Sequence, residues 1–395
     1  MGVPINVNYR YQSNELIYLL DNSDSEAVFY QGCYANQVEK IRDELPKVKV
    51  WIQLEDSTPL LEGSHAYSDV VQNTAPMPRI ERNEGNIYML YTGGTTGMPK
   101  GVMYTHGGFV NSMLKTLKGM GVDVPDELAD IKDTILNLHE NGELAKSFVA
   151  CPLMHGTGMW LGGFLSHLLG GCVVTTPNLG LDTKLLWEEV ERVGITNIII
   201  VGDSFAKPMV KELDRAVSEN KPYNLETLKL IYSSGVMFSA DVKASLLEHH
   251  DMVLMDAMGS SEGGMGSSVT TREDGAATAK FRLNPGVVVV SDDGEEVLPG
   301  SGVRGLIGTS GLVPEGYYKD KEKSDATFKE FNGTRYSFPG DYALVEADGT
   351  ITLLGRGSNC INSAGEKIYP EEVEEALKLN SNVYDSLVVG LADER

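Results

Sequence analysis

The middle of the chain alternates between amphipathic helical patterns and short β-branched runs, and each such run ends at glycine or small polar residues. In the first cycle, Asp182 precedes a helical pattern as an N-cap residue, and Gly194 follows it as a helix terminator. The run 196–201 (TNIIIV) then predicts a buried strand that stops before Gly202.

The same order of elements recurs further along the chain. Residues 228–232 (LKLIY) and 252–257 (MVLMDA) predict two more strands, with a helical pattern between them that Ser239 can cap. Helices and strands that alternate in this way predict an α/β domain with a largely parallel sheet.

Polar loops follow all three predicted strands, at Gly202-Asp203, Ser233–Gly235 and Met258–Glu262. Because parallel sheets bind ligands beyond the carboxyl ends of their strands, we expect these loops to face one crevice. A structural alternative exists for the first loop, since Gly202 can simply end a strand and Asp203 can cap the next helix.

A glycine-rich loop, Tyr91–Gly101 (YTGGTTGMPKG), follows another strand pattern at 86–91. It is not a Walker loop, because a methionine and a proline separate Gly97 from Lys100 and a glycine follows the lysine. Its glycines let backbone N–H groups converge, while its threonines and lysine add donors and positive charge, so it suits phosphate. The alternative is a glycine-rich surface turn.

The chain becomes β-rich after Asn284. Segments 287–297 and 342–355 each place an Asp-Gly pair between β-rich arms, which is a strong hairpin signal. Pro370 then predicts the first turn of a helix, and the residues from Val383 onward predict the beginning of another strand.

The acidic composition limits the classes of partner. With a formal net charge of -23, the surface repels the phosphates of nucleic acids and of anionic lipids. The apolar segment 159–176 is interrupted by Ser166, His167 and four glycines. It therefore predicts a buried helix followed by a strand, and not a membrane span.

The cysteines are scattered, without a CxxC pair or a nearby histidine cluster, and they are Cys33, Cys151, Cys172 and Cys360. This spacing indicates neither a zinc site nor a disulfide framework, and it favours reduced thiols. The N-terminal residues lack the features of a signal peptide. We therefore expect a cytoplasmic protein with no transmembrane segment and no nucleic-acid partner.

The glycine-rich loop and four later motifs occur in the order typical of the adenylate-forming (AMP-binding) enzymes, which include acyl-CoA synthetases, firefly luciferase and peptide-synthetase adenylation domains. The chain resembles this family at Tyr91–Gly101, Ser233–Gly235, Met258–Glu262, Pro339–Asp341 and Gly355-Arg356. The resemblance implies an α/β fold. Residues 1–354 would form a large domain with parallel sheets and a small β-rich region, and 355–395 the hinge and the start of a small, mobile α+β C-terminal domain.

The resemblance also assigns residues to ATP and magnesium. The nucleotide contacts that it implies are Thr92, Gly93, Gly94, Thr95, Thr96, Gly97, Lys100, Ser234, Gly235, Asp256, Ala257, Met258, Ser261, Asp341 and Arg356. Lys100, Ser261 and Glu262 are the implied catalytic residues, and Thr92 and Glu262 are the implied contacts of Mg²⁺.

The implied roles suit the chemistry of these side chains. The Asp341 carboxylate can accept hydrogen bonds from two ribose hydroxyls, and Glu262 offers Mg²⁺ a hard oxygen ligand. Met258 replaces the family's tyrosine, so it would pack on adenine without aromatic stacking. The alternatives without function are a turn aspartate at Asp341, a solvated loop carboxylate at Glu262 and a surface charge at Arg356.

The segment 151–160 (CPLMHGTGMW) resembles the acid-binding motif of the family's CoA synthetases and luciferases. The acid-site residues implied in and beyond this motif are His155, Gly156, Met159 and Asp203. Members that activate amino acids usually carry an aspartate in this motif, and 151–163 contains none, so the substrate is expected to lack an amine. A buried histidine that simply completes the core is the alternative for His155.

Residues 201–208 (VGDSFAKP) and 233–239 (SSGVMFS) resemble bacterial CoA ligases for long-chain or bulky acids, including steroid side-chain acids. The expected function is an AMP-forming acyl-CoA synthetase that uses ATP, Mg²⁺ and coenzyme A as co-substrate. The alternatives are an acyl-AMP ligase that loads a carrier protein and a catalytically impaired nucleotide-binding fragment. The resemblance also leaves room for a homodimer.

Both chain ends look internal to the family pattern. Residues 3–11 (VPINVNYRY) resemble a segment well inside family chains, and Arg395 precedes the position of the family's C-terminal lysine. That lysine contacts the acid and the α-phosphate in the family. On the resemblance, the chain is expected to be truncated at both ends, to bind ATP and to be impaired in adenylation.

Overall fold

The computed structural model describes residues 2–93, 98–178, 180–273, 280–357, 361–363, 366–368, 370–378, 380, 383 and 386–390. Its α-helices are α1 Ser13–Asn22, α2 Ala35–Ile41, α3 Tyr67–Asn73, α4 His106–Gly119, α5 Ile131–Glu140, α6 Leu165–Leu168, α7 Thr183–Glu189, α8 Asp203–Ser218, α9 Ala240–His249, α10 Lys321–Thr327 and α11 Pro370–Lys378. Segments Thr157–Phe164 and Val190–Gly194 are π-helical, and Gly32–Tyr34, Arg42–Glu44 and Leu128–Asp130 are 3-10 turns.

The strands are β1 Ala27–Gln31, β2 Val50–Leu54, β3 His65–Ala66, β4 Ile87–Thr92, β5 Lys100–Thr105, β6 Lys146–Val149, β7 Cys172–Val174, β8 Asn197–Ile200, β9 Leu230–Ser234, β10 Val253–Ser260, β11 Gly263–Thr270, β12 Lys280–Leu283, β13 Val287–Val290, β14 Arg304–Thr309, β15 Gly316–Tyr317, β16 Phe328–Phe331, β17 Thr334–Ser337, β18 Asp341–Val345, β19 Thr350–Arg356, β20 Ile361–Ser363 and β21 Glu366–Ile368.

Residues Met1–Gly107 and Glu315–Ser324 form the first of two compact units. It contains the parallel sheet β1-β2-β3 and the antiparallel sheet β15-β5-β4. Asp24 links the segment Glu315–Ser324 to the N-terminal part of this unit. Its carboxylate accepts a hydrogen bond from Tyr318 Oη at 2.8 Å and forms an ion pair with Lys319 Nζ at 2.7 Å.

Residues Gly108–Pro314 and Asp325–Arg395 form the second unit. Most of its described strands make one mixed sheet in the order β16-β17-β14-β18-β19-β12-β11-β10-β9-β8-β6-β7, with β13 beside β14, while β20 and β21 pair with each other in a separate antiparallel sheet. The β10-β9-β8-β6-β7 half is parallel, as the alternating pattern predicts. Apolar residues of β8 and β9, such as Ile198 and Ile231, are fully buried with Trp187 from α7 in the largest core cluster.

The other half of this sheet is antiparallel and corresponds to the predicted β-rich region. Strands β18 and β19 form the predicted hairpin, in which Gly349 adopts φ 78°. The hairpin predicted over 287–297 forms as well, but its second arm is short: Val290 and Glu296 bridge antiparallel, and Val297 N donates to Val289 O at 2.8 Å. β13 also pairs with β14 along its whole length.

Local helix signals have mixed outcomes. Asp182 is the N-cap of α7 and accepts a hydrogen bond from Leu185 N at 3.0 Å, as predicted. Gly194, with φ 71°, ends the following π-helical turn. Ser239 occupies the N-cap position of α9, but its side chain makes no cap bond, so that prediction is wrong. Its backbone N–H instead donates to Asp203 Oδ1 at 2.9 Å.

The apolar segment 159–176 has the predicted helix followed by a strand, namely the end of the π-helix, α6 and β7. Within the described residues, no helix is both long and apolar enough to cross a membrane. Pro370 begins α11 as predicted. The strand predicted from Val383 onward is wrong for the part that can be examined, because 383 and 386–390 lie in no regular element.

The two compact units divide the predicted large domain itself. They therefore do not test the boundary predicted between Leu354 and Gly355, which stays a prediction.

Candidate active site

The loops at the carboxyl ends of the parallel strands lie side by side in the second unit. The register pairs Ile200 with Ser233, and it pairs Ser233 and Ser234 with Asp256 and Ala257. Ser234 and Gly235 therefore lie at the same sheet edge as the end of β10, where parallel strands present their ligand-binding loops. The crevice predicted for these loops has its structural basis in this shared edge.

The loop after β8 is fastened to the loop after β9. Gly202 N donates to Ser233 Oγ at 3.0 Å, and Asp203 N donates to Met237 O at 2.9 Å. Asp203, predicted as a substrate contact, is the first residue of α8 and is only 8% exposed. Its carboxylate accepts a hydrogen bond from Ser239 N. Asp203 therefore links the two loops, independently of any contact with a substrate.

The segment Met258–Glu262 is the end of a hairpin and not an extended loop, because β10 continues to Ser260 and β11 begins at Gly263. The register shifts between Met258 and Gly259. Glu262 is 8% exposed, and its backbone N–H donates to Ser260 Oγ at 3.2 Å. Ser261 and Glu262 are thus placed by a tight turn between two paired strands.

Met258, predicted on the adenine face, is 8% exposed and packs with Met265 and Ile307 in the core of the antiparallel half. Asp341 and Arg356 face each other across β18 and β19, with Arg356 Nε 3.4 Å from Asp341 Oδ1. This pair orients the Asp341 carboxylate.

Asp256 is one partner of a buried ion pair. Lys243 Nζ of α9 is 3.4 Å from Asp256 Oδ2, and the two residues are 1% and 3% exposed. Burial raises the pKa of Asp256 to about 6, although Lys243 opposes this shift. The sequence reasoning missed Lys243, although it precedes the buried Leu246 and Leu247 by three and four residues, the spacing of one helix face.

The acid-site motif lies beside the loop after β9. Were Gly235 to carry a Cβ, that atom would lie 3.7 Å from Thr157 Oγ1 at the start of the π-helix. His155 N donates to Pro152 O at 3.2 Å, and His155 O accepts from Met159 N at 2.9 Å. Short π-helical segments occur frequently at functional sites. The predicted acid and adenine segments are therefore neighbours.

The side chains around this motif are largely apolar. Phe109 of α4 packs edge-on against Trp160 and Phe164, with ring centroids 5.4 and 5.7 Å apart. Gly156 lies against the Trp160 ring. Burial raises the pKa of the Cys151 thiol to about 12, so this cysteine stays protonated and is not a nucleophile at neutral pH.

The glycine-rich loop belongs to the first unit. Thr92 pairs with Lys100 across β4 and β5, and Lys100 Nζ lies 5.5 Å from the centroid of the Tyr317 ring. Tyr11 Oη lies close to the position that a Cβ atom on Gly93 would occupy. The predicted contacts Gly94, Thr95, Thr96 and Gly97 lie outside the described residues.

Among the residues that the structure describes, no group of three or more histidine, cysteine, aspartate or glutamate side chains could hold a metal ion. This finding is compatible with Mg²⁺, which typically binds to one or two carboxylates together with the phosphates of a substrate.

Comparisons with known proteins extend these observations. The 3-oxocholest-4-en-26-oate–CoA ligase of Rhodococcus rhodochrous is 40% identical over 410 residues, an alignment that covers 100% of this chain and 71% of that protein. A medium/long-chain-fatty-acid–CoA/3-oxocholest-4-en-26-oate–CoA ligase of Mycolicibacterium smegmatis is 39% identical, with 100% and 72% covered.

Solved structures share the fold. The anthranilate CoA ligase AuaEII in complex with anthranoyl-AMP superimposes with a TM-score of 0.78 at 19% identity, over 99% of this chain and 70% of that one. O-succinylbenzoate coenzyme A synthetase (MenE) of Bacillus subtilis, in complex with ATP and a magnesium ion, gives 0.75 at 20% identity, over 99% and 72%. The sequence profile of the AMP-binding enzymes matches residues 2–318. The chain therefore belongs to the AMP-binding enzyme family.

Proposed function

We propose that the protein is an ATP-dependent acyl-CoA ligase for long-chain or bulky carboxylic acids, including steroid side-chain acids. The observation that carries this proposal is the proximity of the acid-site motif to the predicted adenine segment, at Thr157 and Gly235. A ligase must bring a carboxylate to the α-phosphate of ATP, so its acid site and nucleotide site have to adjoin. The relatives named for a steroid acid and for fatty acids support the substrate class.

The residues of the second unit fit ATP. Gly235 has φ 93° and no side chain, so the backbone is open to close approach by a flat base. Asp341 presents a carboxylate oriented by Arg356, which suits two ribose hydroxyls. Glu262 offers an oxygen ligand to Mg²⁺. Bound Mg²⁺ would offset the negative charge that builds on the phosphates.

The glycine-rich loop is assigned to the leaving pyrophosphate. Lys100 adds positive charge and Thr92 a hydroxyl beside it across the β4–β5 pair. In the first step, a carboxylate oxygen of the acid attacks the α-phosphorus while the bond to the β-phosphate breaks. Pyrophosphate leaves with the bonding electron pair, and an acyl-adenylate remains. Ser261, in the turn between β10 and β11, is the proposed donor to the α-phosphate.

In the second step, the sulfur of coenzyme A attacks the acyl carbon and loses its proton. The bond from that carbon to the phosphate oxygen breaks, and AMP leaves. AMP is a far better leaving group than hydroxide, which is why the acid is activated first. The buried, protonated Cys151 forms no covalent intermediate, because every bond change occurs between substrates.

We expect the acid pocket to select acids whose remaining part, apart from the carboxylate, is uncharged and bulky. The motif contributes Met159 and Trp160, and Phe109 and Phe164 surround it with further aromatic area. No aspartate or glutamate occurs between Cys151 and Gly163, so an ammonium group on the substrate would have no counterion there.

The test is pyrophosphate release with a panel of acids: a C26 steroid acid, palmitate, octanoate, acetate and phenylalanine. We expect the steroid acid and palmitate to give kcat/KM at least roughly a hundredfold above acetate, because each buried methylene adds transfer free energy. The product is then assayed with coenzyme A and with a phosphopantetheinylated carrier protein. Thioester formation on the carrier but not on coenzyme A would contradict the proposal, as would a preference for acetate or phenylalanine.

A matched pair of variants controls this assay. Glu262→Gln removes the proposed magnesium ligand and should lower turnover roughly a hundredfold or more. Glu273→Gln makes the same chemical change at an exposed position and should leave turnover unchanged. Turnover that survives equally in both variants would assign the measured activity to something other than this site.

A further inference from the structure

Lys243 is the most unusual side chain in the core of the second unit. It is 1% exposed and lies on the face of α9 that also buries Leu246 and Leu247. A buried ammonium loses its hydration, and an ion pair regains that loss only when its geometry is good. Buried ion pairs are therefore weak contributors to stability, and a role in fixing geometry is a better reason for one.

The ammonium group contacts both segments of the adenine region. Lys243 Nζ is 3.4 Å from Asp256 Oδ2, in the middle of β10. It also lies 5.1 Å from the centroid of the Phe238 ring, in the loop that follows Gly235. A cation over an aromatic face is attracted by the ring. One side chain thus links the loop after β9 to the strand that carries Ala257 and Met258.

We propose that Lys243 is a positioning residue of the nucleotide site, which fixes the Asp256 carboxylate so that the site prefers a purine with an amino group at C6. The inference rests on the proposed function. A carboxylate accepts hydrogen bonds and the 6-amino group of adenine donates them, whereas a 6-oxo purine presents an acceptor. The bond to Lys243 uses Oδ2 of Asp256, and a carboxylate has a second oxygen with acceptor capacity.

Charges from two elements act on Asp256. Lys243 of α9 favours its ionised form, and Asp203 of α8, itself 3.6 Å from Lys207, disfavours it. Tyr232 of β9 is a further titratable neighbour, and burial followed by the charge of Asp256 raises its pKa to about 12, so it stays neutral. Lys243 is therefore the group that keeps Asp256 ionised near neutral pH.

The direction of the pH effect follows from these contacts. The pKa of Asp256 is about 6 with Lys243 in place, so the acceptor is present above that pH and is lost as the pH falls through it. Without Lys243, burial and Asp203 act unopposed and the pKa rises further. The loss of nucleotide affinity should then occur at a higher pH than in the wild type.

The experiment uses calorimetry of nucleotide binding to the full chain with Mg²⁺ between pH 5.5 and 8.5. The ligands are ATP and purine riboside triphosphate, which lacks the 6-amino group. We expect the wild type to bind ATP roughly tenfold or more tighter than the analogue, because a hydrogen bond to a charged group contributes about this much affinity. This preference should be lost as the pH falls through about 6. In Lys243→Met the loss should move to higher pH, with little preference left at pH 7.

Three variants complete the design. Lys243→Arg keeps the charge and should retain the wild-type pH of transition. Lys211→Met removes an exposed lysine of α8 and should match the wild type. If Lys243→Met fails to fold by circular dichroism, the neutral pair Lys243→Met/Asp256→Asn replaces it, and this pair should bind ATP with no transition near pH 6.

The outcomes separate the two proposals. A wild type that binds no ATP contradicts the proposed function itself. A wild type that binds ATP, with the same pH transition and base preference in Lys243→Met or in the neutral pair, overturns the positioning role and leaves the proposed function standing.

Discussion

Buried polar side chains of the second unit differ in whether their hydrogen-bonding capacity is used. Ser166 Oγ and Ser147 Oγ are 2.8 Å apart, and both residues are almost fully buried. Thr309 Oγ1 and Ser337 Oγ are buried as well, but neither has a hydrogen-bond partner in the part of the chain that the structure describes. A buried hydroxyl without a partner loses its bonds to water and gains none in return.

This difference predicts opposite effects of the same substitution. Ser337→Ala should raise the free energy of unfolding by about 1 kcal/mol, because it removes the cost of a desolvated hydroxyl. Ser166→Ala should lower it by about 1 to 2 kcal/mol, because Ser147 then keeps a buried hydroxyl without its partner. Urea unfolding of the two variants and the wild type measures both changes. Destabilisation by Ser337→Ala as large as that by Ser166→Ala would show that the Ser337 hydroxyl has a partner.

At the scale of elements, the loop after β8 depends on a glycine. Gly202 has φ 54°, and a Cβ there would collide with the carbonyl oxygen of Met237 and lie 2.7 Å from that of Val236. The close approach lets Gly202 N reach Ser233 and lets Asp203 reach the loop after β9. The two loops of the candidate site are thus packed backbone to backbone.

Gly202→Ala should therefore cost at least about 2 kcal/mol of unfolding free energy, since the left-handed conformation and the collision both oppose the methyl group. Gly302→Ala is the matched control. Gly302 has φ 70° and nothing within 4 Å of its added Cβ, so only the conformational cost of about 1 kcal/mol applies. Thermal or urea unfolding gives both values. Equal losses in the two variants would mean that the backbone contact at Gly202 contributes nothing.

Element patterns in the sequence predicted the parallel strands and both hairpins, and they predicted the Ser239 cap in position only. The runs ending at Val201 and Tyr232 became β8 and β9, because buried parallel strands are marked by continuous apolar residues. Ser239 lies at the N-cap position without a side-chain cap bond, and the Asp203 carboxylate, distant in sequence, accepts its backbone N–H. Local signals of this kind cannot register a competing partner from another element.

For the whole molecule, motif order along the chain was sufficient to recognise the family. Sequence spacing does not reveal which motifs are neighbours, because the proximity of Thr157 to Gly235 depends on how the π-helix packs against the strand. The Lys243–Asp256 pair was missed for the same reason, since a lysine is normally read as a surface residue. Residues that act through another side chain are the hardest to find from sequence.

The central claim is that the protein joins an acid to a thiol through an acyl-adenylate. The chain shares its fold with CoA ligases, and we propose that its candidate site uses the Asp341 carboxylate for ribose and places an acid motif beside the base segment. In this chemistry one carboxylate oxygen of the acid becomes a phosphate oxygen of AMP, because the bond broken in the second step is that between the acyl carbon and this oxygen.

Oxygen-isotope transfer tests this claim most directly. Palmitate labelled with ¹⁸O at both carboxyl oxygens is incubated with the protein, ATP, Mg²⁺ and coenzyme A, and the nucleotides are analysed by mass spectrometry. We predict AMP with one ¹⁸O atom, unlabelled pyrophosphate and a thioester that keeps the other label. The formation of ADP with ¹⁸O in inorganic phosphate, or of AMP without label, would contradict the account.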